Sequence, residues 1–293
     1  MRDDTPSRTA QWVAAARGLG MLLPDDIRIA DCPYGVAFAS TRVQRLIEER
    51  HPAALARMPG FKTWIAYMQV RTKLLDDAVR TFVDQGGRQV VLLGAGFDCR
   101  ALRMPELADS SVYEVDHPAT QGHKRGTLDK IGAHSPAHYV SWDFETRAMD
   151  ELPEGLADAG HDPTLPTLTI WEGVTMYLTE AAIDASLHAI AAYSCATSQL
   201  AMTYQAKAPG QRPSLAARVV QLAAARFGEP FKWGWDPATL PEYLEERGFT
   251  LADDVGTPEA AATLLPPDLA RAISSTDHSH VALAERRART SPI

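Results

Sequence analysis

The stretch Gln89-Val90-Val91-Leu92-Leu93-Gly94-Ala95-Gly96-Phe97-Asp98-Cys99-Arg100, followed by Val112-Tyr113-Glu114-Val115-Asp116, decides the fold. An apolar, β-branched run ends in Gly-x-Gly. A second apolar run closes on an acid about 20 residues later, the order of a nucleotide-binding βαβ unit. In such a unit the glycines let the main chain approach the ligand, and the carboxylate accepts from ribose hydroxyls. A dehydrogenase fingerprint would carry a third glycine where Cys99 stands. Its absence weakens the case for a pyrophosphate-bearing turn and favours a ligand with ribose but no pyrophosphate. S-adenosylmethionine (SAM) is the common ligand of that kind.

Moving outward, the chain upstream reads as helical. Thr9 to Leu19 is Ala-rich, and from Phe61 to Val83 the residues Ile65, Met68, Leu75, Val79, Phe82 and Val83 keep roughly helical spacing before the stop at Gln85-Gly86-Gly87. Downstream, strand-like and helix-like segments alternate. Strands are expected at 89–93, 111–115, 138–142, 167–172 and 199–204, with helices at 118–131 and 180–193, the latter N-capped by Thr179. A helix at 237–247 and strands near 249–255 and 280–285 complete the pattern. Such alternation predicts an α/β, largely parallel, doubly wound Rossmann-like sheet with helices on both faces. The segment 205–235 breaks the rhythm: it holds a short Ala/Val-rich helix near 214–227 and reads as an insertion over the sheet edge. Its aromatic residues Phe227, Phe231, Trp233 and Trp235 suit either a pocket for a flat or apolar small molecule or a satellite core under the loop. The chain is expected to form one domain: a helical cap over 1–86, a SAM-binding half over 87–204, an acceptor-pocket insertion over 205–235 and C-terminal strands over 236–293.

In an open parallel sheet, ligands sit outside the carboxyl ends of the strands. Here those ends carry Gly94-Ala95-Gly96, Asp116, Asp143 and Glu172, four successive strand ends finishing in glycine or a carboxylate. The 293 residues suffice for a sizeable core, and 45% hydrophobic with 23% charged residues is ordinary for a soluble protein. A net charge of −8 argues against a nucleic-acid partner, because phosphate binding needs a clustered basic face. Cys32, Cys99 and Cys195 are widely spaced and form no CxxC, which suits a reducing compartment and supplies no zinc framework. His134 and His138 have i, i+4 spacing but Pro136 lies between them, and His278 and His280 read as surface residues. No metal site is expected. With no signal peptide and no apolar run long enough for a bilayer, the expected location is the cytoplasm and no membrane partner is expected. The sequence leaves the oligomeric state open.

With these residues in place, the chain resembles the leucine carboxyl methyltransferase family of class I SAM-dependent methyltransferases, in particular its bacterial branch that acts on small molecules. The matching blocks are Ser7-Arg8-Thr9-Ala10, Val70-Arg71-Thr72 with Asp76-Asp77, Val91 through Arg100, Tyr113-Glu114-Val115-Asp116-His117-Pro118, Asp143-Phe144, and Trp171-Glu172-Gly173-Val174-Thr175-Met176-Tyr177-Leu178-Thr179. A weaker match joins Gly234-Trp235-Asp236-Pro237 to Leu244-Glu245-Glu246-Arg247-Gly248-Phe249. The resemblance implies a seven-stranded sheet with a reversed final hairpin under a helical N-terminal cap. It also implies that Arg71 pairs with the methionine carboxylate of SAM, that Gly94 and Gly96 pass close to the methionine and ribose, and that Asp116 takes both ribose hydroxyls. Asp143 and Phe144 would flank the adenine, and Glu172 would lie near the methionine amino group. Arg8 matches a basic residue that reaches the cofactor in some relatives. The family commonly has Thr where Cys99 stands and a bulkier apolar residue near Thr175, departures that bear on the acceptor more than on SAM.

The implied activity is O-methylation. An acceptor carboxylate is already ionised at neutral pH and needs only to be held in line, whereas a phenol would gain from a general base. Tyr177, on the same loop as Glu172, and Tyr204, at another strand end, are the candidates for positioning the acceptor. Neither a Gly-x-Ser-x-Gly elbow nor a Walker loop is present, and Glu172-Gly173-Val174 stands where amino-methyltransferases carry Asn/Asp-Pro-Pro-aromatic. The expected reaction is methyl-ester formation on a small acid of polyketide or aromatic type. The alternatives are a phenol O-methyltransferase of secondary metabolism and an inactive SAM-binding regulator. A nicotinamide-dependent oxidoreductase is disfavoured by Cys99 and by the lack of a Tyr-x-x-x-Lys pair.

Overall fold

Seven strands form one sheet in the order β3-β2-β1-β4-β5-β7-β6. The computed structural model describes residues 8–25, 27–41, 44–45, 59–207, 232–275 and 278–287. The strands are β1 (Gln89–Leu93), β2 (Ser111–Asp116), β3 (His138–Ser141), β4 (Thr167–Trp171), β5 (Gln199–Gln205), β6 (Phe249–Gly256) and β7 (Ser279–Arg286). β1 to β5 pair in parallel. β7 pairs antiparallel with both β5 and β6, so β7 alone runs against the rest of the sheet. The reversed hairpin implied by the resemblance is therefore one reversed strand inserted between β5 and β6. Every residue of β1 and β4 is buried, as strands covered on both faces require.

The described helices are α1 (Arg8–Leu19), α2 (Pro59–Asp84), α3 (Arg100–Arg103), α4 (Pro118–Lys130), α5 (Leu152–Asp158), α6 (Glu180–Tyr193), α7 (Leu240–Glu245), α8 (Thr257–Leu264) and α9 (Pro267–Ser274). α2 ends where expected: Gly86 takes a φ of 94° and the Gly87 amide returns to the Phe82 carbonyl at 2.9 Å, a left-handed glycine stop. α6 starts at Thr179, whose hydroxyl accepts from the Ala182 amide at 3.3 Å. Strands β1 to β5 lie within one residue of the sequence expectation. α7 is shorter than expected, because Pro241 sits at its first turn and 237–239 form a turn ahead of it. Sequence reading left α5, α8 and α9 unassigned. Each is at most 8 residues long and opens with a proline in its first turn, too short for a clear period. The expected helix near 214–227, and Phe227 and Phe231, lie outside the described residues.

Two cores flank the sheet. α5, α6 and α7 cover one face around Trp142, Leu156, Leu187, Tyr204 and Trp235, while α2 covers the other with Leu75, Val79 and Phe82 against Val90, Leu92 and Ile170. A third core joins α1, the N-terminal half of α2, α8 and α9 through Leu19, Ile65, Met68, Leu269 and Ile273. The N-terminal cap is thus built against α2 and the C-terminal helices together. Buried Gln69 of α2 holds it by the backbone, its Oε1 accepting from the Ile29 and Ala30 amides at 3.0 Å each.

Inside the cap, α1 crosses the one-turn helix Gly35–Phe38 at a pair of glycines. A Cβ on Gly18 would lie 2.8 Å from the Gly35 backbone carbon, and one on Gly35 2.6 Å from the Gly18 amide nitrogen. In a helix interior Gly→Ala is ordinarily favourable by about 1 kcal/mol. At this crossing the overpacking cost of about 1–3 kcal/mol should win. Gly18→Ala is expected to lower the urea midpoint of unfolding; a raised midpoint would show that the crossing tolerates a side chain.

Candidate active site

The glycine turn after β1 is set by backbone geometry. Gly94 has φ 70° and Gly96 φ 52°, a region side chains strain, and a Cβ on Gly94 would also meet Val174 Cγ2 at 2.7 Å. The amides of Gly94 and Ala95 both donate to the Val115 carbonyl at 2.9 and 3.1 Å, tying the turn to the end of β2. One residue further, Asp116 Oδ2 accepts from the Gly96 amide at 2.5 Å and Oδ1 from the His117 amide at 2.6 Å. Burial raises the Asp116 carboxyl above its ordinary value, an effect these two amides only partly offset. Such a carboxylate favours further hydrogen-bond donors. His117 also caps α4, its Nδ1 accepting from the Ala119 amide at 3.2 Å.

Beside this turn lies a buried network of charge centred on Glu172. Its Oε1 accepts from Arg71 Nε at 3.0 Å and Nη2 at 2.8 Å, and its Oε2 from Arg100 Nη1 at 2.8 Å. Arg17 of α1 approaches it at 3.8 Å and Asp98 at 3.9 Å, while donating to the Phe97 carbonyl at 2.9 Å. Arg100 is fully buried, its Nη1 pairing with Asp98 and its Nε donating to Asp76 at 2.8 Å. Asp76 is gripped again by both terminal nitrogens of Arg103 at 2.7 Å. Burial alone would raise the Glu172 carboxyl; Arg71, then Arg100 and Arg17, override it and hold the group far below the carboxylate range. Beneath the loop, Lys124 of α4 pairs with Glu114 at 2.6 Å and donates to the Asp98 carbonyl.

This arrangement suits SAM on two counts. Five cationic groups (Arg17, Arg71, Arg100, Arg103 and Lys124) stand among five acids (Asp76, Asp98, Glu114, Asp116 and Glu172), a charge-balanced cluster that offers both signs to the carboxylate and ammonium of a zwitterion. Arg17 Nε and Arg100 Nη2 are buried with no hydrogen-bond partner among the described residues. Asp116, whose two oxygens each accept one backbone amide, keeps lone pairs for further donors such as hydroxyls.

Other expected site residues fall around this centre. Asp143 follows β3 and caps its own turn, accepting from the Glu145 amide at 3.0 Å and the Thr146 hydroxyl at 2.9 Å. Phe144 beside it is 43% exposed, a solvent-facing ring at the expected adenine end. Tyr177 is half-buried in a one-turn helix, Thr175–Tyr177, just past Glu172. Tyr204 is fully buried, its hydroxyl donating to Asp254 at 2.6 Å; burial and that carboxylate push the phenol's pKa up. His280, expected at the surface, is half-buried and meets the same Asp254 through Nδ1 at 3.1 Å, because β7 pairs it directly with Tyr204. Trp235 packs edge-on against Tyr204 at 5.7 Å. Arg8's side chain lies outside the described residues. Sequence reading did not single out Arg17, Asp98, Arg100 or Lys124 individually; Asp98 and Arg100 stood inside the quoted block, but only tertiary contact shows their pairing. Among the described residues no helix is long and apolar enough to cross a membrane.

Comparison with known proteins agrees with this geometry. The leucine carboxyl methyltransferase family profile matches residues 10–191. A protein of Mycobacterium sp. strain KMS, provisionally named an S-adenosyl-L-methionine-dependent methyltransferase, is 33% identical over 256 residues, covering 82% of each chain. A protein of Streptomyces avermitilis with the same provisional name is 33% identical over 197 residues, 64% of this chain and 68% of its own. The fold is shared with two solved structures. One is a provisionally named methyltransferase from Thermobifida fusca (TM-score 0.57, 18% identity, 98% and 97% covered). The other is a DUF574 family protein from Streptomyces avermitilis (TM-score 0.60, 16% identity, 97% and 99% covered).

The network makes a stability prediction. Glu172→Gln keeps the shape but leaves Arg71 without its carboxylate and takes one partner each from Arg100 and Arg17, and should cost about 3–5 kcal/mol. Because the folded carboxyl sits below its unfolded value of 4.5, its contribution is complete above that value. It is lost as pH falls toward the folded value, since the unfolded chain takes up the proton first. Urea titrations between pH 7 and pH 3 should show the wild type losing stability through this window and the variant changing less.

Proposed function

The chain belongs to the leucine carboxyl methyltransferase family and is a SAM-dependent methyltransferase, and from that premise we propose that it esterifies the carboxylate of a small molecule. The observation that carries the reading is the buried, charge-balanced network around Glu172 beside a glycine turn and Asp116. Bound SAM supplies an already activated methyl group on a sulfonium sulfur. The residues of the chain then have to bind, orient and exclude water. Asp116 holds the ribose hydroxyls while Gly94 and Gly96 leave room for the nucleoside's approach. Arg71 keeps one edge on Glu172 and gives its other donors to the methionine carboxylate; Glu172, negative at all working pH, faces the methionine ammonium. Asp143 and Phe144 border the adenine.

The acceptor enters beyond Glu172, at the end of β4, where half-buried Tyr177 positions it; Tyr204 lies fully buried behind that end. An ionised carboxylate needs no base there, and in-line positioning can supply several kcal/mol of the barrier. Tyr204, with its proton held on Asp254, acts as a fixed wall and not as a proton acceptor. Half-buried Trp233 suits an acceptor with a flat or apolar body, while Trp235 is core, packed on Tyr204 and Tyr243. The single-domain division into cap (1–86), SAM-binding half (87–204), acceptor segment (205–235) and C-terminal part (236–293) belongs to the same reading.

Two measurements test it. Asp116→Ala should weaken SAM binding by about 2–4 kcal/mol, and Arg71→Lys should weaken it as well, since an ammonium cannot span two acceptors. Unchanged calorimetric affinity in both folded variants would place the cofactor elsewhere. Incubation with labelled SAM and a panel of aromatic and polyketide-type acids should give a product that releases methanol in mild alkali. Label that survives alkali moves the acceptor to a hydroxyl, and no transfer despite tight SAM binding favours a regulatory role.

A further inference from the structure

Two of the three cysteines take no part in the site described above, yet they lie directly against it. Cys99 is the N-cap residue of α3, three residues past Gly96, and its Sγ lies 3.6 Å from the Phe97 carbonyl. Cys32 lies in the cap, on the turn that leads into the one-turn helix Gly35–Phe38. Both belong to one buried cluster with Ala14, Phe38 and Phe97, and each is only 2% exposed. Phe38 of the cap stacks on Phe97 of the loop at 4.8 Å and 8°. The two thiols share that buried cluster across the same seam, and each is the foremost influence on the other's acidity. Sixty-odd residues separate them in sequence, so only the cap docking on the glycine turn brings them together.

The surroundings differentiate the pair. The neighbouring Cys99 thiol, with the positive charge of Arg17 and Arg103, lowers Cys32 against the effect of burial. The neighbouring Cys32 thiol and burial raise Cys99. One sulfur is therefore a nucleophile in waiting and the other a protonated resolving thiol, the pairing that disulfide formation uses. Cys195 lies outside this cluster and is partly exposed.

We propose that Cys32 and Cys99 are a redox modification site, at which a hydroperoxide closes an intramolecular disulfide that fastens the N-terminal cap onto the SAM loop and slows cofactor exchange. The Cys32 thiolate attacks one oxygen of hydrogen peroxide, the O–O bond breaks and hydroxide leaves, giving a sulfenic acid. The Cys99 sulfur then displaces the hydroxyl from Cys32, losing its own proton; an S–S bond forms and water departs. In total the two thiols give up two electrons and two protons, and one peroxide becomes two waters. Hydrogen peroxide is uncharged and little larger than water, which suits a buried seam.

The cross-link would join segments that already hold the glycine turn from above. Arg17 donates to the Phe97 carbonyl, and Ala10 lies 3.3 Å from where a Cβ of Gly96 would stand. A covalent bond two residues beyond Phe97 opposes the separation of cap and loop that ligand exchange requires.

The test treats the full chain with hydrogen peroxide at neutral pH, denatures it in a maleimide, and maps peptides without reduction. The expected result is loss of two alkylatable thiols out of three, a Cys32–Cys99 linked peptide, and release of S-adenosylhomocysteine slowed at least threefold, all reversed by dithiothreitol. Cys195→Ser should keep this behaviour, while Cys32→Ser and Cys99→Thr should lose it. Three free thiols after peroxide, or linkage through Cys195 alone, would overturn the site. A Cys32–Cys99 bond with unchanged release would overturn its effect on exchange. The thiol count and peptide map read the wild-type chain and need neither variant folding nor cofactor binding.

Discussion

Glu172 is the group on which the rest of the arrangement depends. It ends β4 and receives Arg71 from α2, Arg100 from the loop after β1 and Arg17 from the cap helix α1, so one carboxylate ties the sheet to three other parts of the chain. Taking these charges out of water is expensive, and the cost is offset only because each carboxylate in the network meets at least two guanidinium groups. Two guanidinium nitrogens, Arg17 Nε and Arg100 Nη2, remain buried without a hydrogen-bond partner among the described residues.

The strand order places the chemistry along one edge. Glycine turn, Asp116, Asp143 and Glu172 stand at the ends of β1 to β4, on the nucleotide side. Beyond β4 the edge continues through Tyr204 of β5 and His280 of the reversed β7, joined through Asp254 of β6. That polar group, with Trp235 against it, lies on the side of Glu172 away from Asp116. The cap closes the space from above, docked on α2 by Gln69 and on the glycine turn by Phe38, Arg17 and the two cysteines.

Much of this was legible before any coordinates. The parallel strands read from β-branched runs and from the residues that close them, and the glycines at 94 and 96 announced positive φ by standing where a strand must turn sharply onto a ligand. Asp116 and Glu172 were legible because a carboxylate at the end of a buried strand has to be used or paired. Short helices were not legible. α8 and α9 span 8 residues each, so their periodicity does not rise above that of a loop, and their existence rests on packing against α2. His280 was misjudged for a similar reason: its burial comes from a partner strand, not from its neighbours in sequence.

What the sequence determined by itself was the class of fold, the cofactor's chemical type and the row of glycines and acids at the strand ends, because strand period, glycine conformation and acid placement are local properties. What tertiary structure alone decided was which charges meet. Arg17 and Glu172 are distant in sequence, as are Cys32 and Cys99, and no local rule relates them. Their juxtaposition follows from the cap folding back over the β1 turn, a placement set by the complementarity of buried surfaces and by a low-dielectric interior that forces each buried charge to find its partner.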